Sequence, residues 1–278
     1  MVKKQLNQDV RSSLKWPGGK KRVLNHIRSI LPISGKTRLV EPFVGGGSVF
    51  LNLTFDEYLL CDTNNDLISL YKAMKRAPKK FQKQAHTLFT EQNNTPDKYY
   101  ELRETFNNTD DPYQRALLFL FLNRHGYNGL CRYNKSGGYN VPFGKYKKPY
   151  FPEIELEFLA SKLKKASFIV GDFEQAFEHI KQGDVVYCDP PYSPINRTSN
   201  FTAYSGVEFS DDDQRRLVQC AVKAKELKVP TLISNHLTEF TKGLYASADS
   251  QKLFSVQRSI SQNGKKRNKV EEILALYR

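Results

Sequence analysis

The run Asp184-Val185-Val186-Tyr187-Cys188-Asp189-Pro190-Pro191-Tyr192 constrains this chain more than any other. Its short apolar start, rich in valine and tyrosine, reads as a buried strand. Proline has no N–H to give a ladder, so the strand must stop at Pro190. Proline also keeps the residue before it extended. The product is a stiff arm that holds the Asp189 carboxylate, the Pro190 carbonyl and the Tyr192 ring at the carboxyl end of a strand. In open α/β sheets that edge is where ligands bind. The carboxylate and the carbonyl both accept hydrogen bonds, a planar amine offers two donors, and an aromatic ring stacks on a flat heterocycle. The arm therefore suits an exocyclic amine on a nucleobase. Taken alone, a proline turn with an aspartate helix cap explains it equally well.

A second strand-and-loop unit precedes it. Arg38-Leu-Val-Glu41-Pro42-Phe43-Val44-Gly45-Gly46-Gly47-Ser48 reads as a strand entering a glycine loop that opens a helix, and Glu57 to Asp62 as a strand ending in an acid. Glycines there let a ligand lie against the backbone near a helix N-terminus. A dinucleotide site would need G-x-G-x-x-G/A, but Phe50 stands at the third glycine position. An adenosyl cofactor without pyrophosphate needs less of the loop. On that reading Phe43 and Gly45 lie on the cofactor side, and Asp62 accepts from both ribose hydroxyls. Upstream, Trp16-Pro-Gly-Gly-Lys20 sets the single tryptophan beside a glycine turn and a lysine. It lacks the spacing of a phosphate-binding P-loop. Downstream, the strand Ser167 to Gly171 ends in Asp172 and Phe173, a pair suited to the amine and face of an adenine. A helix cap with a core phenylalanine is the competing account of that pair.

Composition narrows the partner. The formal net charge is +14, with a pI near 9.5, which favours a polyanion through phosphate neutralisation. With 39% hydrophobic residues the chain can build a real core, so global disorder is excluded. Cys61, Cys131, Cys188 and Cys220 are scattered without a C-x-x-C, and the histidines form no ligand pair, so neither a metal site nor a disulfide framework is expected. No long apolar run or signal segment is present, which predicts a cytoplasmic enzyme without membrane contact.

Between Asp66 and Pro152 the character changes. Helical patterns over Asp66–Lys75 and Asp97–Phe106 lead to Ala116–Leu122, apolar on every side and so predicted to be buried. Asn123-Arg124-His125-Gly126-Tyr127-Asn128-Gly129-Leu130-Cys131-Arg132 follows, and then Gly137-Gly138 to Tyr150, containing Pro142, Lys145, Tyr146 and Lys147. Arginine and lysine suit phosphates and guanine edges, asparagine suits bases, and tyrosine wedges or stacks. The Gly137-Gly138 pair predicts a β-hairpin. We read residues 66–152 as an inserted DNA target-recognition domain, and residues 1–65 and 153–278 as a catalytic domain. Within the latter, the Ser193–Phe201 loop is expected to order on binding. Ser210 opens a helix, Val229–Asn235 and Glu272–Tyr277 form strands, and the basic Asn263–Lys269 loop is placed to touch a DNA backbone.

K-W-P-G-G-K, E-P-F-V-G-G-G-S-V-F, the D-P-P-Y block and N-R-H-G-Y-N-G-L-C-R-Y-N, from Leu14 to Tyr277, resemble the Dam family of DNA adenine methyltransferases. The resemblance implies a Rossmann-like α/β methyltransferase core with a mostly helical inserted recognition domain. It implies S-adenosyl-L-methionine as methyl donor, S-adenosyl-L-homocysteine as product, and double-stranded DNA with GATC as target. No metal is implied. Trp16, Lys20, Asp62 and Asp189 match its cofactor contacts, and Asp189, Pro190 and Tyr192 its adenine-holding group. Lys15, Tyr127, Asn128, Leu130, Arg132, Pro142, Tyr146 and Lys147 match its DNA-reading positions, and Arg103 a backbone contact. Asn123 and Arg124, in the same block, join the DNA-binding candidates. Two positions depart from the pattern: Lys145 stands where arginine is frequent, and His125 where enterobacterial members have tyrosine. A monomer in solution is expected, in a bacterial or phage-infected cell, with room for more than one copy on DNA. Roles in repair and replication timing or beside a restriction partner both stay open. A DNA-binding protein without chemistry is the alternative, and the intact D-P-P-Y block and Asp62 weigh against it.

Overall fold

A computed structural model describes residues 9–194, 209–257 and 269–278. The strands are β1 (Arg38–Glu41), β2 (Glu57–Asp62), β3 (Ala166–Val170), β4 (Asp184–Cys188), β5 (Thr231–His236), β6 (Ser250–Gln257) and β7 (Lys269–Tyr277). They form one seven-stranded sheet in the order β3-β2-β1-β4-β5-β7-β6. Neighbours from β3 through β5 are parallel, whereas β7 runs antiparallel between β5 and β6. The chain order reverses between β1 and β4, so the carboxyl ends of those two strands face the crevice where open sheets bind ligands.

Residues alternate between the two faces of the sheet, as the pleat requires. Leu39, Leu60, Val185, Tyr187 and Leu232 join one buried cluster, while Val40, Leu59, Cys61, Val186, Cys188 and Ile233 join the other. The second face is covered by α8 (Phe173–Phe177) and α9 (Asp211–Glu226), through Phe173, Ala176, Leu217 and Ala221. Ser210 caps α9 in a reciprocal box with Asp213, as its acid-rich first turn predicts. Arg38 grips Asp184 with two nitrogens, at 3.0 and 2.6 Å, and ties the start of β1 to the start of β4. Asp184 is fully buried, so loss of one partner alone would leave an uncompensated charge, costing about 3–5 kcal/mol.

The first face is covered mostly by the segment read as an insertion. It contains α3 (Asn65–Arg76), α4 (Pro78–His86), α5 (Pro96–Asn108) and α6 (Pro112–His125), with α7 (Glu153–Leu163) following. Leu118 to Leu122 of α6 are all buried, which explains its apolar circumference: helices surround it. One hydrophobic cluster runs without a break from Leu60, Val185 and Tyr187 of the sheet through Leu67, Phe119 and Leu159. The segment read as an insertion therefore shares a core with the sheet. Asp66, at the start of α3, receives Arg115 of α6 at 2.8 and 3.1 Å and the Tyr133 hydroxyl at 2.7 Å.

Two features differ from expectation. The Gly137-Gly138 ribbon carries only isolated bridges, Tyr133–Tyr139 and Gly126–Phe143, because Asn134 folds its side chain back onto the Ser136 and Gly138 amides and closes a tight turn. β6 went unforeseen: as an edge strand it exposes Leu253 and alternates polar residues, without an apolar run to mark it. Residues 195–201 of the loop expected to order on binding, and residues 263–268 of the basic loop expected to touch a DNA backbone, lie outside the described residues.

Candidate active site

Asp189 leaves β4 with its side chain aimed between polar neighbours. Lys20 Nζ lies 2.8 Å from its Oδ1, and the Ser234 hydroxyl donates to the same oxygen at 3.1 Å. Ser234 sits inside β5, where Tyr187 of β4 also reaches it at 3.1 Å. Burial pushes the Asp189 carboxyl up from its ordinary range, and the Lys20 ammonium is the strongest influence drawing it back. Lys20 is itself buried, fixed by the Gly18 carbonyl at 2.8 Å, and stands 4.5 Å from the centre of the Tyr192 ring. The His236 ring meets Tyr192 edge to face at 4.7 Å, and the Tyr192 phenol donates to Glu272 of β7 at 3.3 Å. Gln214 of α9 donates to the Pro191 carbonyl at 2.9 Å, which fixes the proline turn from the helix side.

Glu41, the last residue of β1, is buried beside this group. One of its oxygens has no hydrogen-bond partner among the described residues. Burial, then the nearby Asp189 charge, raise its carboxyl well above the ordinary range.

The glycine loop continues from there. Asp62 accepts from the Gly45 amide on one oxygen and from the Asn64 amide on the other, both at 2.9 Å. Each carboxylate oxygen keeps further accepting capacity. Trp16 lies on the loop, and a Cβ at Gly45 would come within 2.7 Å of its ring nitrogen. Gly45 also has φ +47°, so both close approach and backbone geometry demand glycine there. Phe43 and Phe173 stack at 5.4 Å, and Phe209 meets both edge-on. Asp172 caps α8 through the Glu174 amide at 3.0 Å and pairs with Arg216 at 3.1 Å. The helix-cap account of Asp172 and Phe173 is thus the one the geometry carries directly. The aromatic wall still stands next to that carboxylate.

Most of the residues expected to meet DNA gather on one exposed ridge. Tyr127 is half exposed at the tip of a turn, Asn128 has left-handed φ 53°, and its amide donates to the Tyr146 hydroxyl at 3.0 Å. Lys15 lies over the Tyr146 ring at 3.6 Å, and burial lowers its ammonium to about 8. Arg132 is exposed and bonds the Asn140 side chain at 2.7 Å. Pro142, Lys145 and Lys147 are exposed on the return strand, whereas Leu130 is buried to half-buried against the core. Arg103 reaches the Val141 carbonyl at 3.1 Å, bracing that return from below. Asn123 corrects the expectation. It is fully buried, with its amide donating to the carbonyls of Lys15 at 2.8 Å and Gly129 at 3.1 Å and its oxygen accepting the Lys15 amide at 2.8 Å. Its donors and its acceptor are all engaged inside the protein, so Asn123 holds the ridge to the lysine segment and does not face bases. Arg124 is also buried, bonded to the Tyr150 carbonyl at 3.0 Å, yet it lines a cavity of about 250 Å³ with Arg11, Trp16 and Lys21.

Comparison with known proteins decides the family. Residues 16–261 match the model of the D12 class N6 adenine-specific DNA methyltransferases. The chain belongs to this family. DNA adenine methylases similar to it include that of Vibrio cholerae, 49% identical over 268 residues covering 96% of both chains. That of Serratia marcescens is 50% identical over 269 residues, covering 96% of this chain and 98% of the relative. That of Escherichia coli is 49% identical over 268 residues, covering 96% and 95%. The enzyme is an adenine-specific DNA methyltransferase, and DNA is its substrate.

The sequence did not single out Glu41, Ser234, His236 or Glu272 of this methyltransferase. Ser234 follows the apolar pair Leu232-Ile233 in β5, and Glu272 stands directly before the apolar run Ile273–Tyr277 of β7, and those junctions were the available signal. Among the described residues no cluster of His, Cys, Asp and Glu is disposed to hold a metal ion, and no helix is long and apolar enough to cross a membrane.

Proposed function

We propose that the enzyme methylates the exocyclic amine of an adenine rotated out of duplex DNA, within GATC, with S-adenosyl-L-methionine as donor. The convergence of Asp189, the Pro190 carbonyl and Tyr192 on one strand end, beside the glycine loop and Asp62, carries this reading. GATC is the sequence implied by the resemblance of the ridge residues Lys15, Tyr127, Asn128, Leu130, Arg132, Pro142, Tyr146 and Lys147 to those of the Dam family. Arg103, Lys145 and Arg124 would serve the DNA backbone. Residues 66–152 would act as the target-recognition unit, and the remainder as the catalytic one. The bacterial relatives support action in a bacterial cytoplasm, and the enzyme would act as a monomer in solution.

The residues present fit the donor. Asp62 retains accepting capacity for ribose hydroxyls, and Phe43 and Phe173 offer aromatic faces to an adenine whose amine Asp172 could receive. Glu41's unpartnered buried oxygen marks a polar position that a donor group would satisfy. Trp16, Lys20, Gly45 and Asp189 complete the enclosure. When bound, the donor supplies an electrophilic methyl group on a sulfonium.

The chain's part is positioning. A base inside the duplex cannot reach this edge, so it must flip. Tyr127 and Asn128, exposed at the ridge tip, would fill the space it leaves. Tyr192 stacks on the flipped ring, while Asp189 and the Pro190 carbonyl accept from its amine. Lys20 and Ser234 both engage Oδ1 of Asp189, so the amine is received at the other oxygen. Two acceptors turn the nitrogen lone pair out of the ring and stabilise the positive charge that grows on nitrogen. The methylated nitrogen is acidic enough to release its proton to water, so Asp189 is not required to be a strong base. Incorporation of labelled methyl groups into duplexes tests this reading. We expect incorporation into GATC and a large loss when any one base pair of the site is changed. Equal labelling of both duplex types would overturn the site, and no labelling would overturn the donor.

A further inference from the structure

The Tyr192 ring follows two prolines on a loop, and stacking on a base requires its plane to be fixed. The proline turn sets where the ring begins, but not how it is rotated. The strand β7, far along the chain, supplies that hold. β7 is antiparallel to β5 with His236 opposite Glu272, and this register brings Glu272 to the same edge as the carboxyl ends of the parallel strands. We propose that Glu272 is a positioning residue for methyl transfer, orienting the Tyr192 ring through its phenol.

Three observations carry the proposal. The phenol donates to Glu272 Oε2 at 3.3 Å. The ring has two further supports, His236 at its edge and Lys20 over its face, which do not grip the hydroxyl; Asp189 and Ser234 also stand close to that hydroxyl, on the side of β4 and β5, and Glu272 holds it from β7. His236 is in turn held 3.0 Å from the Ser193 carbonyl, so the loop just after the ring is anchored to β5. Glu272 also stands in an unfavourable place for a charge. Ile273 to Tyr277 are all buried, and a half-buried carboxylate at the head of such a strand loses hydration unless it gains a partner. Burial pushes its carboxyl up, with the Lys20 charge opposing that and Asp189 adding to it. A purely structural residue there could be apolar without that desolvation.

This inference rests on the reading of Tyr192 as the stacking ring, and the test separates the two. Single-turnover methylation of a GATC duplex is measured for Glu272→Leu, Glu272→Gln, Tyr192→Phe, Tyr192→Ala and the Glu272→Leu/Tyr192→Phe pair. Donor affinity is measured alongside, with 2-aminopurine fluorescence at the target position reporting stacking of the flipped base. Glu272→Leu should slow methyl transfer about ten- to a hundredfold, as a mispositioned reactant does, and brighten 2-aminopurine, with donor affinity unchanged. Glu272→Gln retains an acceptor and should recover most of the rate. Tyr192→Phe keeps the ring and loses the phenol with all its contacts, so it should be at least as slow as Glu272→Leu, and the pair should be no slower than Tyr192→Phe alone. Additive losses in the pair, or a native rate for Tyr192→Phe, would overturn the proposal. Because Tyr192→Phe is nearly isosteric, that second outcome decides the matter even if Glu272→Leu does not fold. Loss in Tyr192→Ala with native rates in the other variants would sink only the role of Glu272. A native rate in Tyr192→Ala would sink the stacking reading itself.

Discussion

The strand-end site and the recognition ridge both concentrate polar groups, but they use them differently. At the strand ends the charged groups are buried and bonded to one another: Lys20 with Asp189, Asp189 with Ser234, Tyr192 with Glu272. On the ridge they are exposed and lean on the protein's own main chain and rings: Arg132 on Asn140, Lys15 on Tyr146, with Lys147 turned towards solvent. Chemistry needs one geometry held before the substrate arrives. Reading needs groups that can trade a protein partner for a base edge or a phosphate. Buried side chains such as Asn123 form the platform between the two regions.

The largest expected effect comes from the strand ends. Asp189→Ala should reduce methyl transfer at least about a thousandfold, the upper range for removing one preorganised group. Binding of a GATC duplex should persist, and circular dichroism should show the native fold. If most activity survives, the fixed carboxylate is not the source of catalysis.

His125 tests the platform under the ridge. It is buried, stacked on Phe121 at 3.8 Å, with its Nδ1 2.9 Å from the Phe121 carbonyl. Burial lowers the imidazole to about 4, and Lys15 and Arg124 add to the effect. The folded state thus binds a proton less readily than the unfolded one. This stability is fully present above about pH 6.5 and is lost as pH falls towards 4, by about 3 kcal/mol in total. Urea titrations between pH 7 and 4 should show His125→Phe losing that much less than the parent. Parallel pH profiles would mean that the histidine is solvated and the platform looser than described.

Asp62→Ala should weaken donor binding by about 1–3 kcal/mol, the scale of a hydrogen bond to a charged group. Calorimetric titration with S-adenosylmethionine measures it, and unchanged affinity would confine Asp62 to holding the Gly45 and Asn64 amides.

On the ridge, Arg132→Ala should cost about 1–3 kcal/mol of discrimination against a wrong base, since a guanidinium released from Asn140 can bond both acceptors of guanine. Lys147→Ala should instead weaken all duplexes and lower the salt slope of binding by roughly one. Binding series over salt on GATC and single-change duplexes separate them. Uniform weakening by Arg132→Ala would break the assignment of reading to the ridge.

Much of the fold was legible because its signals are local. Pro190 and Pro191 had to end β4, the glycines after β1 had to open a loop, and Ser210 had to cap a helix. What was not legible depends on contacts between distant segments. Ser234 and Glu272 acquire meaning only when β5 and β7 line up beside β4, and no turn or spacing announces that register. Asn123 was misread for the same reason. Its neighbours in sequence are residues proposed to read DNA, but α6 points it inward, towards the Lys15 carbonyl.

On the proposed reading, fixed strand-end groups do the chemistry while the exposed ridge chooses the site. Methylation-sensitive sequencing of DNA from cells expressing the parent, Asp189→Ala and Arg132→Ala chains tests it most directly. Methyladenine is expected at GATC with the parent, none with Asp189→Ala, and methylation spread to sites differing by one base pair with Arg132→Ala. Methylation confined to GATC in the Arg132→Ala cells, or retained in the Asp189→Ala cells, would contradict it.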